Sequence, residues 1–122
     1  MAGKMVHFEA PASDADRAEA FWSGVFGWKF ANPGMEGIDY RMTQSAEDQG
    51  GAVYPGDNAG SGIIVYFDTD DIDASIAAVR EHGGQADDKQ PIPAVGWFTG
   101  CKDTEGNSFS LFQSDESVAP PQ

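Results

Sequence analysis

Polar and apolar positions fall along this chain in two successive runs with one grammar: strand, capped helix, further strands. Residues 5–10 alternate as a strand, and Pro11, with no N–H to donate, is expected to end its ladder. Ser13 or Asp14 then caps a helix, with Asp16 near the positive end of its dipole. Ala18, Phe21, Trp22 and Val25 recur at helical spacing and give one apolar face, and Gly27 is the expected stop. Residues 28–30 start a second strand, Asn32, Pro33 and Gly34 turn the chain, and 38–43 alternate as a third strand. A polar loop over 44–50 leads to a short fourth strand over 51–54.

Residues 55–62 hold Pro55, Gly56, Gly60 and Gly62 and read as a linker. The fifth strand, 62–68, is almost wholly apolar and β-branched or aromatic. Asp70 or Asp71 caps a second helix with a buried stripe of Ile72, Ile76 and Val79, and Gly83 and Gly84 end it. A polar strand over 85–90, a kinked loop over 91–96, and strands over 97–102 and 108–113 complete the second run. Each run is therefore β-α-β-β-β. One domain over 1–114 results, with module one at 5–54 and module two at 63–113. Residues 115–122, with two prolines and no apolar period, are expected as a disordered tail.

The runs repeat at a spacing of 57 residues: Asp14 falls on Asp71, Asp16 on Asp73, Ala20 on Ala77, and Gly27 on Gly84. Tyr40 falls on Trp97, and Ala52, Val53 and Tyr54 fall on Phe109, Ser110 and Leu111. Two copies of a small module usually bury one face each against the other, and their seam is a natural ligand site.

Twenty acidic residues against seven basic ones give a net charge of −13. A phosphate backbone or an acidic membrane surface would be repelled, so neither nucleic acid nor membrane is an expected partner. Acidic side chains serve solubility, and a salt-rich cytoplasm would screen their mutual repulsion. No apolar run approaches the ~20 residues of a bilayer span, and the first residues lack a signal-peptide apolar segment. With Cys101 as the single cysteine, no intramolecular disulfide forms, and a reducing, cytoplasmic location is expected.

The run His7-Phe8-Glu9-Ala10-Pro11-Ala12-Ser13-Asp14, followed by Ala20-Phe21-Trp22-Ser23-Gly24-Val25-Phe26-Gly27-Trp28, resembles the vicinal oxygen chelate superfamily. Module two adds Asp70-Asp71-Ile72-Asp73-Ala74, His82-Gly83-Gly84, Gly96-Trp97-Phe98 and the turn Asp103-Thr104-Glu105-Gly106-Asn107. That group includes glyoxalase I, ring-cleaving dioxygenases, fosfomycin-resistance proteins and bleomycin-binding proteins. The resemblance implies an α+β fold: two curled antiparallel sheets around a shared cleft, with helices outside. It also implies a homodimer paired through sheet edges. The family's metal, where present, sits in the cleft on ligands from the first and last strand of each module and chelates neighbouring substrate oxygens.

Carried onto this chain, those ligand positions are His7, Val53, Ile64 and Ser110. Transition-metal sites take three or four nitrogen, sulfur or carboxylate ligands, and one histidine does not supply them. No metal and no cofactor is expected. Glu9, two residues after His7, shares its strand face, and Tyr66 takes the same place in module two. The pair can hold a metal weakly through water, act as acid and base, or contact a ligand directly. His82 fits a helix C-terminus, where a protonated ring meets the negative dipole end. Cys101 fits a packed interior residue better than a nucleophile. The glycine-rich run at 56–62 precedes a strand and lacks a following lysine, so it is no phosphate loop.

The expected ligand-binding residues are His7, Glu9, Tyr40, Tyr66, Trp97 and Phe112, an aromatic wall with two polar points. The leading expectation is a protein that binds a small organic ligand, aromatic or cationic, in the manner of bleomycin-binding relatives. Its alternatives are a glyoxalase-like lyase or isomerase, or a dioxygenase, with an irregular site at His7 and Glu9, and a structural or regulatory module without ligand.

Overall fold

The computed structural model describes residues 3–32 and 37–119. The element order is β1 (Met5–Ala12), α1 (Ala15–Phe26), β2 (Arg41–Ala46), β3 (Gln49–Pro55), β4 (Ile64–Asp68), α2 (Ile72–Glu81), β5 (Gln85–Ala86), β6 (Gln90–Ile92), β7 (Gly96–Lys102) and β8 (Ser108–Ser114). Two compact units emerge: Val6–Ile64, and Val65 onward together with the N-terminal residues up to Met5.

In the first unit the strands lie in the order β2-β3-β1. β1 runs parallel to β3, pairing His7 with Gly50 and Glu9 with Ala52, while β2 and β3 form an antiparallel hairpin. Asp14 is the N-cap of α1 and accepts from the Arg17 N–H; Gly27, with φ of 72°, closes the helix in the left-handed conformation. Strand alternation sends Phe8, Ala10 and Ala12 toward α1. Ala10, Ala12, Ala15 and Val53 form the buried cluster, covered by Ala18, Trp22 and Phe30. The Phe8 ring lies where a Cβ on Gly51 would stand, and it meets Trp28 at 5.6 Å between ring centroids.

Several elements differ from the sequence reading. Pro11 does not end β1: a missing N–H removes one bond from a ladder, and the pairing continues with Pro11 opposite Tyr54 and Ala12 opposite Pro55. Residues 28–30 form no strand, and only an isolated bridge joins Ala31 to Met42. Their aromatics are spent on packing instead: Trp28 stacks on Trp22 at 5.7 Å and lies tilted against Phe26 at 4.8 Å. The third strand begins at Arg41 rather than 38, and most of the supposed polar loop 44–50 is strand, closed by a tight turn. A two-sided polar edge strand has no apolar alternation to announce it. The turn expected at 32–34 lies largely outside the described residues. Of the expected apolar face of α1, Ala18 and Trp22 pack inward, whereas Phe21 and Val25 remain 59% and 55% exposed.

In the second unit the order is β4-β8-β7-β5, with β6 also on β7. β4 is parallel to β8; β5, β6 and β8 are antiparallel to β7. Asp71 caps α2 through the Ala74 N–H, and His82 is its C-cap. Ile72, Ile76, Cys101 and Leu111 form the core, with Phe67, Val79, Trp97 and Phe109 against it. The polar strand read over 85–90 is broken into β5 and β6, and Pro91 belongs to β6 rather than to a loop. β6 lies at the sheet margin, where a proline is tolerated. Of the supposed tail, 115–119 are described: Val118 is buried, and its carbonyl accepts from the Ala94 N–H at 2.9 Å.

Candidate functional site

The first unit's sheet turns one face to α1 and the other away. Because side chains alternate, His7 and Glu9 stand on the face away from Phe8 and Ala10. Their neighbours on β3 are Gly50 and Ala52, which leave room above the sheet. Tyr40, just before β2, fills part of that room. Its hydroxyl lies 2.7 Å from Glu9 Oε2, to which it donates, and 2.7 Å from His7 Nε2. A phenol carries one proton. Once that proton goes to Glu9, His7 must donate from Nε2, and this fixes its neutral tautomer with the proton on Nε2.

The electrostatics agree. Burial holds His7 below its ordinary value of 6.5, against an opposing pull from Glu9, so the neutral ring prevails at neutral pH. Tyr54 extends the site, its ring 5.9 Å from that of Tyr40. Burial, then the Glu9 charge, pushes the Tyr54 phenol upward, so it keeps its proton. The result is a half-buried row, Glu9–Tyr40–His7, beside two tyrosine rings. Period-two spacing exposes the His7–Glu9 relation in the sequence; the hydroxyl that joins them comes from 31 residues away and has no local signal.

The second unit places its predicted residues differently. Tyr66 on β4 stands opposite Ser110, and Phe112 stands opposite Phe98 on β7. Leu111 and Phe109 face α2, so Ser110 and Phe112 face away from it. Trp97 does not join them. Its ring packs toward α2 against the Ile72 cluster, its Nε1 donates to Asp115 at 3.4 Å, and Lys89 Nζ lies 4.5 Å over the ring. The repeat offset pairs Trp97 with Tyr40, but Tyr40 lies outside any strand, so the offset carries no shared facing. Phe98 is the aromatic on the other face, and the sequence reading passed over it.

The metal-ligand register also shifts by one. Val53 is fully buried on the α1 side. The β3 residue opposite Glu9 is Ala52, just as Ser110 is opposite Tyr66, so Ala52 is the residue equivalent to Ser110. The correction adds no donor. Among the described residues no group of three or more histidine, cysteine, aspartate or glutamate side chains is placed to hold a metal ion. His7 and Glu9 alone do not fit the metal that the resemblance implies. Cys101 is buried, and burial pushes its thiol up to about 11, so it is no nucleophile.

On the α1 side of the first unit, Arg41 gathers three carboxylates: Asp16 at 2.7 Å, Asp39 at 2.9 Å and Glu19 at 3.2 Å. Hydrogen bonds from Arg41 hold the Asp39 carboxyl below the usual carboxylate value. A cavity of about 280 Å³ lies beside it, lined by Glu19, Phe30, Ala31, Asn32, Asp39 and Arg41. This tie between α1 and β2 went unseen in the sequence because its members are scattered.

Comparison with known proteins bears on the fold. A family model described as a glyoxalase-like domain matches residues 5–112. A glyoxylase-like domain-containing protein of Didymella fabae is 34% identical over 119 residues, covering 89% of this chain and 92% of its own length. A glyoxalase/bleomycin resistance protein/dioxygenase superfamily member from Vibrio splendidus 12B01 superposes with a TM-score of 0.68 at 15% identity, over 92% of this chain and 99% of its own. Streptomyces coelicolor methylmalonyl-CoA epimerase, in complex with 2-nitronate-propionyl-CoA, superposes with a TM-score of 0.65 at 18% identity, over 99% of this chain and all of its own. At such identities the two structures establish the α+β fold, as the motifs led us to expect.

Proposed function

The chain belongs to the glyoxalase-like domain family, and from that premise we propose that it binds a small organic ligand on the Glu9–Tyr40–His7 face without a chelated metal. The single observation behind this reading is the preformed hydrogen-bonded row. A carboxylate flanked by aromatic rings suits a flat or cationic molecule: rings attract cations through their faces, and Glu9 supplies the opposite charge. The chain's net charge of −13 adds a long-range field of the same sign. Binding is measured by calorimetry against a panel of cationic aromatic compounds, with and without a chelator. Binding that ignores the chelator and weakens about tenfold or more in Glu9→Gln supports the proposal. Tight stoichiometric uptake of zinc or nickel, or unaltered affinity in Glu9→Gln, overturns it.

A second reading has its own observation. Neutral His7 reaches Glu9 through one hydroxyl, an arrangement that can pass a proton, as a lyase or isomerase requires. It gains context from the epimerase that shares the fold. It predicts that solvent deuterium enters an acidic carbon of an α-keto-aldehyde adduct or a branched acyl thioester, and that His7→Ala abolishes the exchange. No exchange with any such substrate rules it out.

A further inference from the structure

The hydroxyl of Tyr40 is gripped from two sides. Glu9 accepts its proton at 2.7 Å, and His7 Nε2 lies 2.7 Å from the same oxygen and donates to it. The matching strand positions in module two hold Ile64 and Tyr66, and that strand forms without such a pair. Setting an imidazole and a carboxylate together in a half-buried place costs desolvation that an apolar pair avoids. Tyr40 stands outside any strand. It precedes β2, yet its hydroxyl bonds to β1, so its side chain crosses over β3, which lies between the two. Gly50 and Ala52, the β3 residues opposite His7 and Glu9, are small enough to allow the crossing, and Ala52 is fully buried. Beside the crossing ring is Tyr54, whose phenol is hydrogen-bonded to the Asn58 side chain. A Cβ on Gly56 would stand 2.9 Å from Asn58 Oδ1 and 3.1 Å from the Tyr54 ring, so glycine leaves room for that tie.

Resting on the reading of this face as the ligand site, we propose that Tyr40 stands in for the ligand: the Glu9–His7 grip takes the hydroxyl of a flat hydroxyarene, which enters by displacing the Tyr40 side chain. The grip selects that group. Glu9 needs a donor and the Nε2–H of His7 needs an acceptor, both at one atom, and a neutral hydroxyl is both. A carboxylate or phenolate only accepts, and it meets the Glu9 charge. An ammonium only donates, and it forces His7 into its other tautomer. A positive charge, where the ligand carries one, belongs at its far end, within the field of a chain at −13. Flatness follows from what is displaced. The Tyr40 ring lies 5.9 Å from the Tyr54 ring and 6.2 Å from the His7 ring between centroids, at interplanar angles of 34° and 23°. Tyr54, tied to Asn58, stays as a wall for the incoming ring.

The test is calorimetry of the full chain, as wild type, Tyr40→Ala and Tyr40→Phe, with two probes. One is p-cresol, the tyrosine side chain cut free; the other is toluene, which lacks only the hydroxyl. Tyr40→Ala is expected to bind p-cresol about tenfold or more tighter than the wild type does, and about tenfold or more tighter than it binds toluene. Tyr40→Phe keeps a ring in place and should gain nothing. In Tyr40→Ala, saturating p-cresol should return the His7 ring-nitrogen resonances to their wild-type positions, which a ring that merely fills space would not do. Should Tyr40→Ala fail to fold, the wild type decides: saturating p-cresol should shift its Tyr40 ring resonances, and toluene should not. Equal binding of the two probes overturns the inference, as do His7 resonances in Tyr40→Ala, or Tyr40 resonances in the wild type, that p-cresol leaves unmoved. Equal binding beside cation binding that still depends on Glu9 would remove this inference alone and leave the broader reading of the face standing.

Discussion

The two helices begin alike and diverge in what they cover. Asp14 and Asp71 cap with almost the same backbone, φ −141° and ψ 101° against φ −146° and ψ 93°, and each carboxylate accepts from the N–H three residues on. Beyond the caps, α2 seals an aliphatic core with Ile72 and Ile76 and shows charged residues such as Asp73 and Arg80 to solvent. α1 buries only Ala15 fully, over a core built largely from alanines, and leaves Phe21, Val25 and Phe26 exposed. The sheet faces differ in the same sense. Module one carries Glu9–Tyr40–His7, whereas the matching strand positions in module two hold Tyr66 and Ile64. The repeat keeps what a helix start demands locally and leaves side-chain chemistry free to differ.

The largest test of this contrast is in the cores. Ile72→Ala should cost roughly 2–5 kcal/mol, because the side chain is 1% exposed. Val25→Ala, on the open side of α1, should stay within about 0.5 kcal/mol. Urea unfolding of the full chain measures both, and equal losses would erase the distinction. Next comes the bridging phenol. Tyr40→Phe removes the hydroxyl that joins two half-buried groups and should cost about 1–3 kcal/mol, with a change in the His7 ring-nitrogen resonances. The caps come third. Asp14→Ala and Asp71→Ala should each cost about 1 kcal/mol, the two agreeing within about 0.5 kcal/mol by thermal melting.

The smallest effect is a pH slope confined to module one. Burial lowers the folded-state value of His7 below 6.5, so the unfolded chain holds that proton more tightly. The stability it contributes is complete above about pH 6.5 and is lost as pH falls through the folded-state value. Asp39, Asp103 and Asp115 are held below 3.8 by their hydrogen bonds, and their contributions fade only at more acidic pH. A melting series from pH 7.5 to about 5 should therefore slope downward in the wild type and flatten in His7→Gln.

What could be read in the sequence was local. Asp14, Asp71 and Gly27 act on groups within a turn of themselves, so spacing alone exposes both helices. The hairpin over Arg41–Pro55 was obscured because polar edge strands lack alternation, and Trp28 and Phe30 misled because aromatic residues suit strands and cluster packing equally. His7 and Glu9 were visible through their period of two. Trp97 was misplaced because its facing depends on β7 pairing with β8 and on α2 above, relations that no short window contains. The one-residue slip from Val53 to Ala52 has the same origin: a ladder's register is a property of two strands, and an offset measured at the helices need not hold there.

The first few residues have a practical consequence. The Gly3 N–H donates to the Asp68 carbonyl, and the Asp68 N–H donates to the Lys4 carbonyl, so the opening of the polypeptide belongs to the half encoded last. Cutting the gene within the Gly56–Gly62 stretch would give a downstream fragment stripped of its own hem. A protease that removed Gly3 and Lys4 would take both of these bonds from the far half.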